Sequence, residues 1–166
     1  MSYSRIEKRR YAHKASKHGA HRARLILDEA DRTGIMLSLG LALVEQESGF
    51  QNVFGHDGVR NPVRGGPVTK DRYLAYKHYR KAGYGMQGVG LTQLTWYSFQ
   101  DRADALGGCW KPRWQLRVGF EVLAANIRQH GQHAGIAAYN GSGPAAQHYA
   151  DQVIARQRAW HAVLVA

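Results

Sequence analysis

The chain has 166 residues, 44% of them apolar, which gives one domain's length with a sizeable core and excludes a disordered segment. Its 23 Lys and Arg against 12 Asp and Glu leave a net charge of +11, which directs attention to polyanions: nucleic acid, an anionic membrane surface or an acidic cell wall. The single cysteine, Cys109, excludes an internal disulfide and fits synthesis in a reducing compartment, and no apolar run is long enough to span a bilayer.

Residues 1–24 form a basic arm or helix. Arg5, Lys8, Arg9, Arg10, Lys14, Lys17, Arg22 and Arg24 stand against Glu7 alone, so this segment carries +7 of the +11. No apolar stretch follows MSYSRIEKRR, so a secretory signal peptide is not expected. In RARLILDEADRTG, 22–34, Leu25, Ile26 and Ala30 make an apolar stripe that Gly34 ends, which predicts a helix. A second helix is expected over 35–47, apolar on most sides and therefore central, with Gly49 as its punctuation.

From 55 to 90 the chain is irregular and dense in Gly and Pro. Within it, 69–83 has helical spacing at Tyr73, Tyr76 and Tyr79/Arg80, with Thr69 or Asp71 as cap. GYGMQGVG, 83–90, reads as an extended hairpin or a loop against a cleft. LTQLTWYSFQDRADAL looks helical. QLRVGFEVLAANIRQHG is an amphipathic helix with Val118, Val122, Ala125 and Ile127 recurring. AYN ends a helix at the GSGP breaker, and HYADQVIARQRAWHAVLV is the last helix. Strands are scarce and the class is mostly α.

Two acids sit where the central helix finishes, in LVEQESGFQNVFGHD, 43–57. Met36, Gly40, Leu43 and Glu47 follow at steps of four, three and four and share one face, whereas Glu45 lies two residues back and points away. A carboxyl against apolar surface is disfavoured as the anion, which suits a general acid. The plainer reading makes Glu47 the first exposed residue of a fraying helix end. Cys109, in GGCW, reads as a small core residue rather than a nucleophile. His18/His21 and His130/His133 have i, i+3 spacing but no HExxH pattern and no cysteine set, so no metal is expected. No phosphate-binding Gly loop with Lys-Ser/Thr is present.

Four pieces occur in order: ESGF at 47–50, GVGLTQL at 88–94, AYNGSG at 138–143, and Tyr149 in YADQV. Together they resemble the lysozyme-like lytic transglycosylase family, the soluble type related to goose-type lysozymes, over about 33–153. The FGHDG, GMQGVG, QLTWY and GGCW texture is similar to endolysins and tail-associated lysins of phages that infect actinobacteria. The resemblance implies a lysozyme-like α+β fold with a small Gly-rich β or loop region beside the cleft, as a catalytic domain over 25–166 following the arm. It implies Glu47 as catalytic acid/base, with Ser48 beside it placing the sugar. Gln93 stands at the cleft wall, Tyr139 and Asn140 line it, and Tyr149 hydrogen-bonds the catalytic carboxylate. Thr92 departs from the family, which usually has Met there, and the insert over about 57–85 is longer than usual. Read as residues alone, Gln93 fits a helix N-terminus, Tyr139 and Tyr149 fit core aromatics, and Asn140 before Gly141 fits a turn.

The implied reaction cleaves the β-1,4 bond between N-acetylmuramic acid and N-acetylglucosamine in peptidoglycan, without metal or cofactor. With one acid the expected route is lytic transglycosylation, giving a 1,6-anhydro end. A hydrolytic muramidase needs a second carboxylate, for which Asp57 and Asp71 are the candidates. Asp57 before Gly58 also fits a simple Asx-turn. An inactive wall-binding relative is a further reading. A different class, a basic α-helical nucleic-acid-binding module, would use 1–24 with Tyr3 and Tyr11 but leaves ESGF, GLTQL and AYNGSG without a role. The expected partners are glycan strands, with electrostatic contact to an anionic wall or membrane through 1–24. No specific nucleic acid is expected, and the state is a monomer. Such an antibacterial lysin would be made in the host cytoplasm and reach the wall by holin-type release or on a phage particle.

Overall fold

The computed structural model describes residues 3–57 and 60–166. Among the described residues there are eight helices and no strand: α1 (Arg5–Lys17), α2 (Ala23–Thr33), α3 (Leu37–Ser48), α4 (Lys70–Lys81), α5 (Tyr97–Leu106), α6 (Pro112–His130), α7 (Gln132–Asn140) and α8 (Pro144–Val165). The chain divides into two compact units, one of Met1–Gln46 with Phe120–Ala166, the other of Glu47–Gly119. The divisions fall inside α3 and α6. No helix among the described residues is long and apolar enough to cross a membrane.

In the first unit α7 packs on α8, and α1 packs on both α2 and α8. Ser4 starts α1 with a capping box: its hydroxyl accepts from the Glu7 amide, and the Glu7 carboxylate accepts from the Ser4 amide at 2.8 Å. Ala12 and Ala15 are the buried small residues of α1. Lys8 reaches across to α2, 3.4 Å from Asp28 and 2.8 Å from Asp31. The α2 stripe is Ile26, Leu27 and Ala30, with Leu27 taking the place expected of Leu25, which is half-buried. Gly34 ends α2 in the left-handed conformation, φ 77°. Gly40 in α3 lets the helices close: a Cβ there would lie 2.9 Å from Ala30 Cβ and 3.3 Å from the Phe120 ring. Every residue from Leu37 to Val44 is buried, the all-round burial its composition predicts.

The second unit is built on α4 and α5. Thr69 caps α4 by accepting from the Arg72 amide. Tyr73 and Tyr76 are fully buried there; Tyr76 packs on Phe54 with ring centroids 5.4 Å apart, and Tyr73 on Trp110 at 5.9 Å. Both phenols are paired, Tyr73 with Asp104 at 3.0 Å and Tyr76 with Gln100 at 3.1 Å. Burial pushes both above the ordinary phenol value. Asp104 also holds Lys77 and the Cys109 amide. Cys109 is a buried core thiol, pushed up to about 12 first by burial and then by Asp104.

The α+β expectation is overturned. The Gly-rich region makes two isolated bridges, Val53 with Pro67 and Phe54 with Val89, and no ladder grows from either. The local reason is chemical. Pro67 has no N–H to donate, and Gly65, Gly66 and Gly90 adopt positive φ, which ends extended pairing after one residue. Two helices differ from expectation as well. Residues 91–96 are not helical, so α5 begins at Tyr97 rather than in LTQLTW. The buried residues of α6 include Leu116, Phe120 and Leu123, while Ala125 is exposed and Val122 and Ile127 are half-buried. Gly58, and with it the Asx-turn expected at Asp57, lies outside the described residues.

Candidate active site

Glu47 and Ser48 form the last turn of α3 and open the second unit. Glu47 is half-buried. The chain leaves α3 by a sharp reversal: Gly49 and Phe50 both take left-handed backbone, φ 55° and 65°. Left-handed Phe is uncommon and holds only where packing fixes it; here the Phe50 side chain is buried. The Ser48 hydroxyl donates to the Leu91 carbonyl at 3.0 Å. That bond ties ESGF to GVGLTQL, 43 residues further on in the chain.

The tie lands on a tight turn over 89–94. Val89 and Leu94 exchange both backbone bonds, at 3.2 and 3.1 Å, and Gly90 donates to Val53 at 2.9 Å. Gln93 sits on this turn at φ 46°, a second non-glycine in the left-handed region. Its side-chain amide donates to the Val53 carbonyl at 3.0 Å and the Gly90 carbonyl at 2.8 Å. The Gln93 side-chain nitrogen thus donates twice, and Oε1 is the side chain's acceptor atom. Gly88 and Gly55 flank it: a Cβ on Gly88 would fall 2.3 Å from Oε1, and one on Gly55 2.7 Å. The Asp57 carboxylate oxygen Oδ2 lies 3.1 Å from the same point above Gly55. Gln93 and Asp57 therefore present two oxygen acceptors over one glycine.

Asp71 is exposed in the first turn of α4, where a carboxylate complements the helix dipole. Thr92 is fully buried, and its hydroxyl donates to the Gln115 carbonyl at 2.9 Å, so it faces the core and not a sugar. Tyr139, half-buried, and Asn140, exposed, end α7 in the first unit; Tyr149 is buried on α8 there. Glu45 also belongs to the first unit, where it accepts from the Trp160 indole at 2.8 Å and pairs with Arg156 at 3.2 Å. The histidine pairs have other partners: His18 bonds the Lys14 carbonyl, and His133 lies 2.8 Å from Asp151.

A buried amide network behind the turn had no counterpart among the candidate residues. Gln115 accepts from the Leu91 amide at 3.1 Å and donates to Asn52 at 2.9 Å and to the Cys109 carbonyl at 2.7 Å. Gln100 donates to the carbonyls of Gln87, Leu94 and Thr95 at 3.0, 2.7 and 3.1 Å. Its oxygen accepts from Tyr76 and from Arg80. These two glutamines brace both sides of the segment that carries Gln93. Their sequence signal is slight: a glutamine inside an apolar helical period reads as its polar edge.

No family model, no curated protein and no solved structure matches this chain.

Proposed function

We propose that the chain is a peptidoglycan-cleaving glycosidase of the kind phages use against bacterial walls, with Glu47 as its general acid. The supporting observation is the Ser48–Leu91 hydrogen bond. It joins the helix end bearing Glu47 to the turn bearing Gln93, so two of the four motifs of the sequence resemblance form one constellation inside one unit. The strained backbone at Phe50 and Gln93 also suits a site, since such conformations collect where geometry serves function. Tyr139, Asn140 and Tyr149 enter this reading through the resemblance alone.

In the proposed reaction Glu47 donates a proton to the glycosidic oxygen as the C1–O bond breaks. The anionic Glu47 then takes the proton of the muramyl C6 hydroxyl, whose oxygen closes on C1. The product is a 1,6-anhydro sugar, and Glu47 returns to its starting state. Ser48 and Gln93 position the sugar. General acid–base help of this type contributes about 10²–10⁴-fold. A hydrolytic route is the second reading, favoured by one observation: Asp57 Oδ2 and Gln93 Oε1 converge over Gly55. There Asp57 would activate water in place of the C6 hydroxyl.

Mass spectrometry of fragments released from purified peptidoglycan separates the two. Anhydro ends, one water lighter than reducing ends, support transglycosylation and leave Asp57 outside the chemistry. Reducing ends that vanish in Asp57→Asn assign the hydrolytic route.

A further inference from the structure

Seven of the eight cations of 1–24 separate into two sets; the eighth, Arg22, is exposed at the N-cap of α2. One set holds the fold. Lys8 bridges Asp28 and Asp31, Arg24 pairs with Asp28 at 2.9 Å, and Lys14 donates to the Leu164 carbonyl at 2.9 Å. The other set points outward. Arg5, Arg9, Arg10 and Lys17 are exposed, and no ion pair among the described residues engages them. At 100° per residue these four fall on one arc of α1 with His13, Ser16 and Ile6, while Ala12, Ala15 and Lys8 face inward. The one acid of the helix, Glu7, lies off this arc and is bound in the capping box. The arc thus carries four fixed positive charges and no negative one along about 20 Å.

Its chemistry narrows the partner. Single-stranded nucleic acid is held by aromatic platforms on which bases stack. Here the arm's two rings, Tyr3 and Tyr11, are half-buried and pack edge-on against each other at 6.0 Å, and neither lies on the arc. A helix lying in a membrane interface needs an apolar face; Ile6, 82% exposed, is the arc's single large apolar residue. What remains is recognition by charge alone, suited to a regular chain of phosphates.

We infer that α1 is a docking face for a linear phosphodiester polymer attached to the cell wall, which holds the enzyme beside its glycan substrate. The inference rests on the peptidoglycan reading above. The test cosediments wild type and an Arg5→Gln/Arg9→Gln/Arg10→Gln/Lys17→Gln variant with two preparations: walls that retain their phosphate polymer, and the same walls stripped of it by hydrofluoric acid. Glutamine keeps helix propensity, and circular dichroism checks the fold. Wild type binds the phosphate-bearing walls at least tenfold better than the variant does, and tenfold better than it binds stripped walls. Four phosphate contacts also imply roughly fifty-fold weaker binding between about 50 and 200 mM salt. Equal binding to stripped walls, or an unaffected variant, overturns the inference. So does tighter wild-type binding to duplex DNA or to anionic lipid vesicles at equal phosphate, which moves the partner to another class. Fragment release from stripped walls is read in parallel. Cleavage by both proteins there with docking unimpaired in the variant sinks the docking face alone, and docking without Glu47-dependent fragments sinks the cleavage reading alone.

Discussion

Glu47 and Glu45 are two residues apart and have different work. Glu45 is a structural acceptor, held by Trp160 and Arg156. Glu45→Gln is expected to keep its activity and lose about 1 kcal/mol of stability, because an amide oxygen still accepts from the indole but cannot pair with the guanidinium; denaturant titration reads the loss. At Gly88 the expectation inverts. Gly88→Ala places a methyl on the Gln93 carboxamide, where a Cβ would come within 2.3 Å. The side chain must swing off the Val53 and Gly90 carbonyls, at a cost of about 1–3 kcal/mol, and fragment release should fall with Glu47 intact. Full activity in Gly88→Ala would remove Gln93 from the site. At this scale the sequence was partly legible. The two-residue offset puts Glu45 and Glu47 on different faces of the helix, yet both are half-buried, and Met36, expected on the shared buried face, is 48% exposed just before α3 begins. Nothing in the spacing announced Gln115 or Gln100, because a buried amide pays off only through partners that the fold assembles.

Among elements, α1 is the informative case. Its charge density suggested a basic arm or helix facing a polyanion, yet Lys8 is built into the packing against α2. Burial by itself raises the Asp31 carboxyl, but the Lys8 ammonium and then the Tyr3 amide outweigh it and hold it below its ordinary 3.8. Lys8 is raised above 10.5, chiefly by its hydrogen bond to Asp31. The signs follow from linkage. The Asp31 contribution is present above the unfolded value and disappears as pH falls through the lower folded value. The Lys8 contribution is present below its unfolded value and disappears as pH rises through the higher folded one. A Lys8→Met/Asp31→Asn cycle should therefore give a coupling of about 1–2 kcal/mol that is flat from about pH 5 to 10 and collapses in acid. A coupling that persists at pH 2 would contradict the pairing. The bracing of the Gly-rich turn is tested by Gln115→Leu. It strands the Leu91 amide and the Asn52 and Cys109 oxygens, with an expected loss of about 2–4 kcal/mol. Element ends were readable where a residue type forces them, as at Thr69 and Gly34. They were missed at 91–96, where the turn depends on Gln100 and Gln115 from later helices.

For the molecule as a whole, the mostly helical class was readable from periodicity, and the error lay in the Gly-rich region of 55–90. Its apolar residues were compatible with short strands, but strands need consecutive donors. Pro67 lacks a donor and the positive-φ glycines turn the chain out of the extended conformation, leaving two single bridges and 67% helix among the described residues. A far-UV spectrum is expected to be helical without a strand component. The candidate residues were legible only as separate motifs. That Ser48 would meet Leu91 was not, since contacts at that separation are fixed by the fold rather than by local propensity.

The most direct measurement compares fragment release from purified peptidoglycan by wild type, Glu47→Gln and Glu45→Gln, with the fold of each checked by circular dichroism. Loss of at least 10²-fold in Glu47→Gln alone is the expected result for a general acid. Equal loss in both variants, or undiminished release by Glu47→Gln, would contradict the assignment of Glu47 as the acid.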